Sequence, residues 1–216
     1  MDLLAEIDRR IGERHLLTHP FYTKWVEGTL PLDAIQDYAR QYYAFEGEFP
    51  RFLSAIHSRC ERRDVRQALL ENLWDEEFGA ENHAELWLRF AEGVGVGRDD
   101  VEGAPRTAAT DALVDTYRDA GASVVAGIAA IHAYEHQVPE VARAKIAGLR
   151  SHYGVDDQRT LRFWVVHEAL DVDHSGAERK VLAELGAEDP DIALEATERA
   201  LEAWWGFLDA LDPVTV

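Results

Sequence analysis

The residues best suited to chemistry fall in three short runs. The first is His167-Glu168-Ala169-Leu170-Asp171-Val172-Asp173-His174. At 100° per residue, positions 167, 171 and 174 lie within roughly 60° of one another on a helix. Two imidazoles and one carboxylate then leave a single face, a nitrogen and oxygen set that suits a hard-to-borderline divalent ion. In a chain with nine histidines the same three could also line a polar solvent face. The second run, Trp74-Asp75-Glu76-Glu77-Phe78-Gly79-Ala80-Glu81-Asn82-His83, carries Glu76 and His83. On one continuous helix a seven-residue step returns to the same face about 10 Å along the axis. That distance strains a single ion and suits two. The third is Glu135, at the end of the apolar stretch Ile128-Ala129-Ala130-Ile131-His132-Ala133-Tyr134-Glu135. A carboxylate in such a helix is costly unless it is paired, hydrogen-bonded or metal-bound. Together the runs aim three carboxylates and three imidazoles from three helices, the arrangement of carboxylate-bridged di-metal sites in helical bundles. The spacing is E-x6-H, a lone E, then H-x3-D-x2-H, and the usual Glu-x-x-His is absent.

Helices must position these groups, and the apolar periodicity predicts them throughout. Expected segments run from about residue 2 to 17, 21 to 27, 32 to 59 with a kink at Pro50, and 63 to 92. Further segments are expected over 107–120, 121–148, 156–185 and 192–211. The stretch 93–105, rich in glycine and acid, reads as the longest loop, and 121–148 as a central buried helix. No stretch shows the two-residue alternation of a strand. The reading is all-α, with residues 1–216 as a single domain.

Composition narrows the function. There are 41 acids against 22 bases, a net charge of -19, and lysine occurs only at positions 24, 145 and 180. Such a surface repels phosphate backbones, which argues against nucleic-acid binding. The single Cys60 excludes an internal disulfide framework, no stretch reaches the roughly 20 apolar residues of a membrane span, and the N-terminus lacks a secretory pattern. A cytoplasmic protein without membrane contact is expected.

Beyond these physical readings, the chain resembles the chlamydial protein associating with death domains (CADD)-like family. That family belongs to the heme-oxygenase-like di-metal oxidases, beside the TenA and PqqC branches. The resemblance is carried by HPFYTKWVEGTL (19–30), DYARQYYAFEGEFPRFLSAIHSRC (37–60), DEEFGAENHAELW (75–87), AYEHQVPEVARAKIAGL (133–149) and HEALDVDH (167–174). It implies a seven-helix heme-oxygenase-like bundle, a homodimer, an external reductant, and two divalent ions (Fe/Fe or Fe/Mn) with dioxygen as co-substrate. The implied ligands are Glu76, His83, Glu135, His167, Asp171 and His174. It also implies synthesis of para-aminobenzoate for folate, with Tyr22 consumed as the aromatic source and Lys145 giving the nitrogen. Arginine could not replace that primary amine. Tyr43 and Tyr134 are aromatic candidates for a radical relay or for simple packing.

Phe163 departs from the family example, which has tyrosine at that position. The sequence stops at residue 216 without a long cysteine-bearing tail, so host-receptor binding of the chlamydial namesake is not expected to carry over. Alternatives are a di-metal oxidase acting on an external small molecule, a cofactor-free PqqC-like oxidase, and a TenA-like hydrolase. The last would need a pocket cysteine, and Cys60 lies in a different motif.

Overall fold

The computed structural model describes residues 2–212, apart from the side chains of Leu170, Val172 and Asp173. Residues 213–216 lie outside it. It contains α1 (Leu3–Glu13), α2 (Pro20–Glu27), α3 (Leu32–Glu46), α4 (Phe49–Arg59), α5 (Arg63–Glu77) and α6 (His83–Gly93). There follow α7 (Arg98–Glu102), α8 (Ala108–Ala120), α9 (Val124–Glu135), α10 (Val138–His152), α11 (Gln158–Val181) and α12 (Pro190–Leu211). A 3-10 turn spans Leu16–Thr18, and α11 runs on into a π turn, Leu182–Gly186. No strand occurs among the described residues. The all-α expectation holds, and none of the helices is long and apolar enough to cross a membrane.

Seven helices become twelve segments, ten of them longer than eight residues, because long helices are interrupted. Pro50 has no N–H for the carbonyl of Glu46, and its ring crowds that carbonyl, so α3 stops at Glu46 and α4 starts afresh at Phe49. Pro139 does the same to Glu135 and divides the expected 121–148 helix into α9 and α10. The expected 63–92 helix is broken by Gly79, whose φ of +88° favours glycine, and by Asn82. The Asn82 side chain accepts from the Glu85 N–H and caps α6, a cap worth about 1 kcal/mol. The glycine-rich stretch 93–105 contains α7.

Helix α9 is the axis of the bundle. Residues Gly127–Glu135 are all buried, so this stretch presents no solvent face. It packs along α12 and α11, and α11 packs in turn on α6 and α10. Aromatic side chains fill the space between, and Trp87 and Trp204 are fully buried with their indole N–H groups donating to the Ala39 carbonyl and the Tyr117 hydroxyl. The polar exceptions to this apolar core mark the site.

Candidate metal centre

Four helices bring acids and imidazoles into one buried region. Glu76 from α5, Glu135 from α9, and His167 and Asp171 from α11 are all at most 4% exposed, as is His83 at the start of α6. His174 completes the α11 face and is largely buried. The helix break at Gly79 folds His83 back onto Glu76, leaving Nδ1 of His83 2.8 Å from Oε2 of Glu76. Despite that distance, both atoms lack an aligned hydrogen-bond partner, and so do Oδ2 of Asp171 and Nδ1 of His174. The rings of His83 and His167 are 4.2 Å apart. Nδ1 of His174 is 3.7 Å from Asp171.

Hydrogen bonds set which ring nitrogens are free. The N–H at Nδ1 of His167 donates to the Phe163 carbonyl at 2.8 Å, leaving Nε2 as the lone-pair nitrogen. Nε2 of His174 lies 3.2 Å from an Asp75 carboxylate oxygen, leaving Nδ1 facing Asp171. An imidazole held from behind by a carbonyl or carboxylate is the usual preparation for metal ligation.

Electrostatics point the same way. Burial raises Glu76 and Glu135 well above the usual carboxylate range, and neighbouring carboxylates add to it. Burial lowers His83 to about 4 and His167 to about 3. Burial also opposes charge on His174, but Asp171, Glu135 and Asp75 outweigh it and raise this imidazole to about 9. Like charges crowded in a dry pocket, with unpartnered lone pairs converging, are what a bound cation relieves.

A second cluster lies beside the first. Nζ of Lys145, on α10, donates to the hydroxyls of Tyr22 at 2.9 Å and Tyr38 at 2.6 Å, and those two hydroxyls are 3.0 Å apart. The rings of Tyr22, Tyr38, Trp25 and Trp164 lie within 5.3 Å of Nζ. Desolvation pushes Lys145 well below the usual lysine range. Tyr42 and Tyr38 share α3, their ring centroids 5.4 Å apart, and the Tyr42 hydroxyl bonds that of Tyr134. A cavity of about 530 Å³ between α5 and α11 reaches Asn72, Asp75, His174 and Glu178 from the surface.

A profile of iron-containing redox enzymes matches residues 36–205. The chain belongs to this family of iron-containing redox enzymes. It is 39% identical to the 4-aminobenzoate synthase of Chlamydia muridarum over 218 residues, 100% of this chain and 92% of that protein. It is 38% identical to the 4-aminobenzoate synthase of Nitrosomonas europaea over 220 residues, 95% of this chain and 89% of that protein. In fold it matches the crystal structure of a TenA homolog from Pseudomonas syringae pv. tomato, with a TM-score of 0.82 and 15% identity, covering 97% of this chain and 90% of that one. As an iron-containing redox enzyme the chain uses metal, and its buried carboxylate and histidine cluster fits that need.

Two expectations require correction. Glu76 and His83 do not share a helix face; they meet because the helix breaks between them. Tyr43 does not face the centre: it is half-buried on the outer side of α3, near Glu102, Arg98 and Glu85. Its neighbour Tyr42, 1% exposed, points inward instead. Glu46, Glu178, Asn72, His132 and Tyr38 also stand in or beside these clusters, although no motif in the sequence singles them out. The Asn72 amide donates to Glu135 at 3.0 Å, and Glu178 lies against Glu135 and 3.3 Å from His132. Glu178 returns to the His174 face one turn on, a signal that helical spacing could have given.

Proposed function

We propose that this chain is a dioxygen-dependent di-metal oxidase that forms 4-aminobenzoate from its own Tyr22 and Lys145. The contact between Nζ of Lys145 and the Tyr22 hydroxyl, 2.9 Å, carries the reading. In 4-aminobenzoate the nitrogen stands para to the carboxyl carbon, where tyrosine carries its hydroxyl. The lysine nitrogen thus lies beside the atom it would replace. Full-length similarity to two 4-aminobenzoate synthases supports the assignment.

Glu76, His83 and His167 would hold one ion, and Glu135, Asp171 and His174 the other. Bound and reduced, the pair supplies the oxidising equivalents of dioxygen. The ligand set accepts Fe/Fe or Fe/Mn. The protein's own part is positional. Tyr38 and the four aromatic faces fix Lys145, and burial favours its neutral amine, whose lone pair is nucleophilic. Tyr42, Tyr134 and Tyr38 line the space between the carboxylates and Tyr22. A homodimer and an external reductant belong to the same reading, and sedimentation and oxygen uptake against candidate donors check them.

The test is intact-mass analysis after exposure to iron, with and without manganese, plus reductant and oxygen. Mass change mapped to Tyr22 and Lys145, with at most one product molecule per chain, is the expected result. Unaltered residues at both positions would remove the self-consuming chemistry.

The 530 Å³ cavity favours a second reading, oxidation of an external small molecule at the same metals. Tyr22→Phe separates them: it abolishes product in the first and leaves turnover intact in the second.

A further inference from the structure

Glu46 is the last residue of α3, the next residue, Gly47, is exposed, and yet its carboxyl points inward at 4% exposure. Oε1 is buried and has no hydrogen-bond partner. Its charged surroundings are Glu76 and Asp171, both of its own sign, with Tyr42 one turn back as the hydrogen-bonding neighbour. A buried carboxylate among carboxylates is unfavourable by several kcal/mol unless something positive joins it. Among the described residues no arginine or lysine contributes to its field. One ligand atom each from Glu46, His83 and His167 lie within 4.8 Å of one another. An ion with bonds of about 2.0–2.2 Å draws such a triangle closed with small side-chain movements.

We propose that Glu46 is a seventh metal ligand, completing with Glu76, His83 and His167 the site of one ion and making α3 a ligand-bearing helix. The assignment rests on the two-ion reading above and extends it. The placement also joins the metal centre to the tyrosines, since Tyr42 and Tyr38 precede Glu46 on the same helix at one-turn intervals. Metal occupancy would then fix the end of the helix that carries Tyr38 to Lys145.

The experiment uses the full chain, stripped by chelator and titrated with Mn²⁺ against a competing chromophoric chelator. Wild type, Glu46→Gln and Glu46→Asp are compared. Wild type takes two equivalents. Glu46→Gln weakens one of them by more than roughly a hundredfold, beyond the 10–100-fold of a residue that merely holds a ligand in place. Glu46→Asp keeps both and weakens one. Metal-free Glu46→Gln unfolds no earlier than metal-free wild type, because an unpaired buried acid has been removed. A smaller loss in Glu46→Gln overturns direct ligation. Failure of wild type to take two equivalents overturns the two-ion reading itself, and Glu46 with it. A crystal of Mn²⁺-loaded wild type decides independently of the variants' folding: anomalous density about 2.0–2.2 Å from a Glu46 oxygen supports the assignment, and density beyond 3 Å refutes it.

Discussion

Lys145 has two phenols and four aromatic faces for company, and desolvation alone moves its ionisation. An amine whose hold on its proton is weakened by burial makes the protein less stable wherever the unfolded chain would protonate it. The sign follows: with the folded value depressed, its contribution is present above about 10.5 and is lost as pH falls toward the folded value. Lys145→Met should therefore stabilise the protein at pH 7, and the gain should shrink toward pH 10. The change is about 1.4 kcal/mol per pH unit between the two ionisations. Urea unfolding at pH 7 and 9 measures it, and a gain that does not shrink with pH contradicts the neutral amine. Tyr22 and Tyr38 keep each other as partners at 3.0 Å, so the substitution orphans neither hydroxyl. This pairing was only partly legible in the sequence. The scarcity of lysine singled out position 145, but its phenol partners lie 107 and 123 residues away. Glu46 was hidden for another reason. In Phe45-Glu46-Gly47-Glu48-Phe49-Pro50 it reads as one more acid at a helix end, although it lies one turn beyond Tyr42 on the buried face of α3.

Helix α10 carries Lys145, and its approach to α2 sets where the amine lies relative to Tyr22. That approach depends on Gly148. A Cβ there would stand 2.9 Å from the Trp25 ring and 3.0 Å from the Trp25 carbonyl, closer than packed atoms tolerate. Gly148→Ala should push α10 away from α2 and cost about 1–3 kcal/mol by overpacking. In a chain of this size that is roughly 2–12 °C in melting temperature. Calorimetry measures the loss, and an unchanged melting temperature would mean the two helices can separate freely. Product formation should fall as well, while metal uptake, whose ligands come from α3, α5, α6, α9 and α11 and none from α2 or α10, stays intact. At this scale the sequence showed helix existence well and helix ends poorly. The α9 and α11 periodicities were plain. The breaks at Gly79 and between α9 and α10 were not, since apolar spacing continues across them. The residues that cause them, Gly79 with Asn82 and Pro139, were visible, but their local signals were outweighed by periodicity.

Across the whole molecule, metal and protons compete for the same buried groups. Without metal, Glu46, Glu76, Glu135 and Glu178 are all raised by burial, Glu178 to about 8. A raised carboxyl contributes stability that is complete below about 4.5 and lost as pH climbs through its folded value. His83 and His167, depressed to about 4 and 3, do the reverse: their contribution is complete above about 6.5 and lost as pH falls through those values. Between about pH 4 and 6.5 the two sets oppose each other. Above 6.5 the imidazoles have finished and the carboxyls continue. His174, raised to about 9, must also shed its proton to bind a cation. Lys145 pulls the other way, but equally with and without metal, so it cancels in a difference. The rise in melting temperature on saturating Mn²⁺ should therefore grow from pH 6.5 to 8. Each displaced proton adds roughly 2 kcal/mol over that interval, or about 4–8 °C in a chain of this size. Below pH 5 the rise should vanish, as ligands hold protons in place of the ions. Calorimetry with metal against chelator at four pH values reads the trend. A flat or falling increment between pH 6.5 and 8 would mean that these carboxyls are not the groups the ions displace protons from, and the centre would then have to lie elsewhere in the bundle.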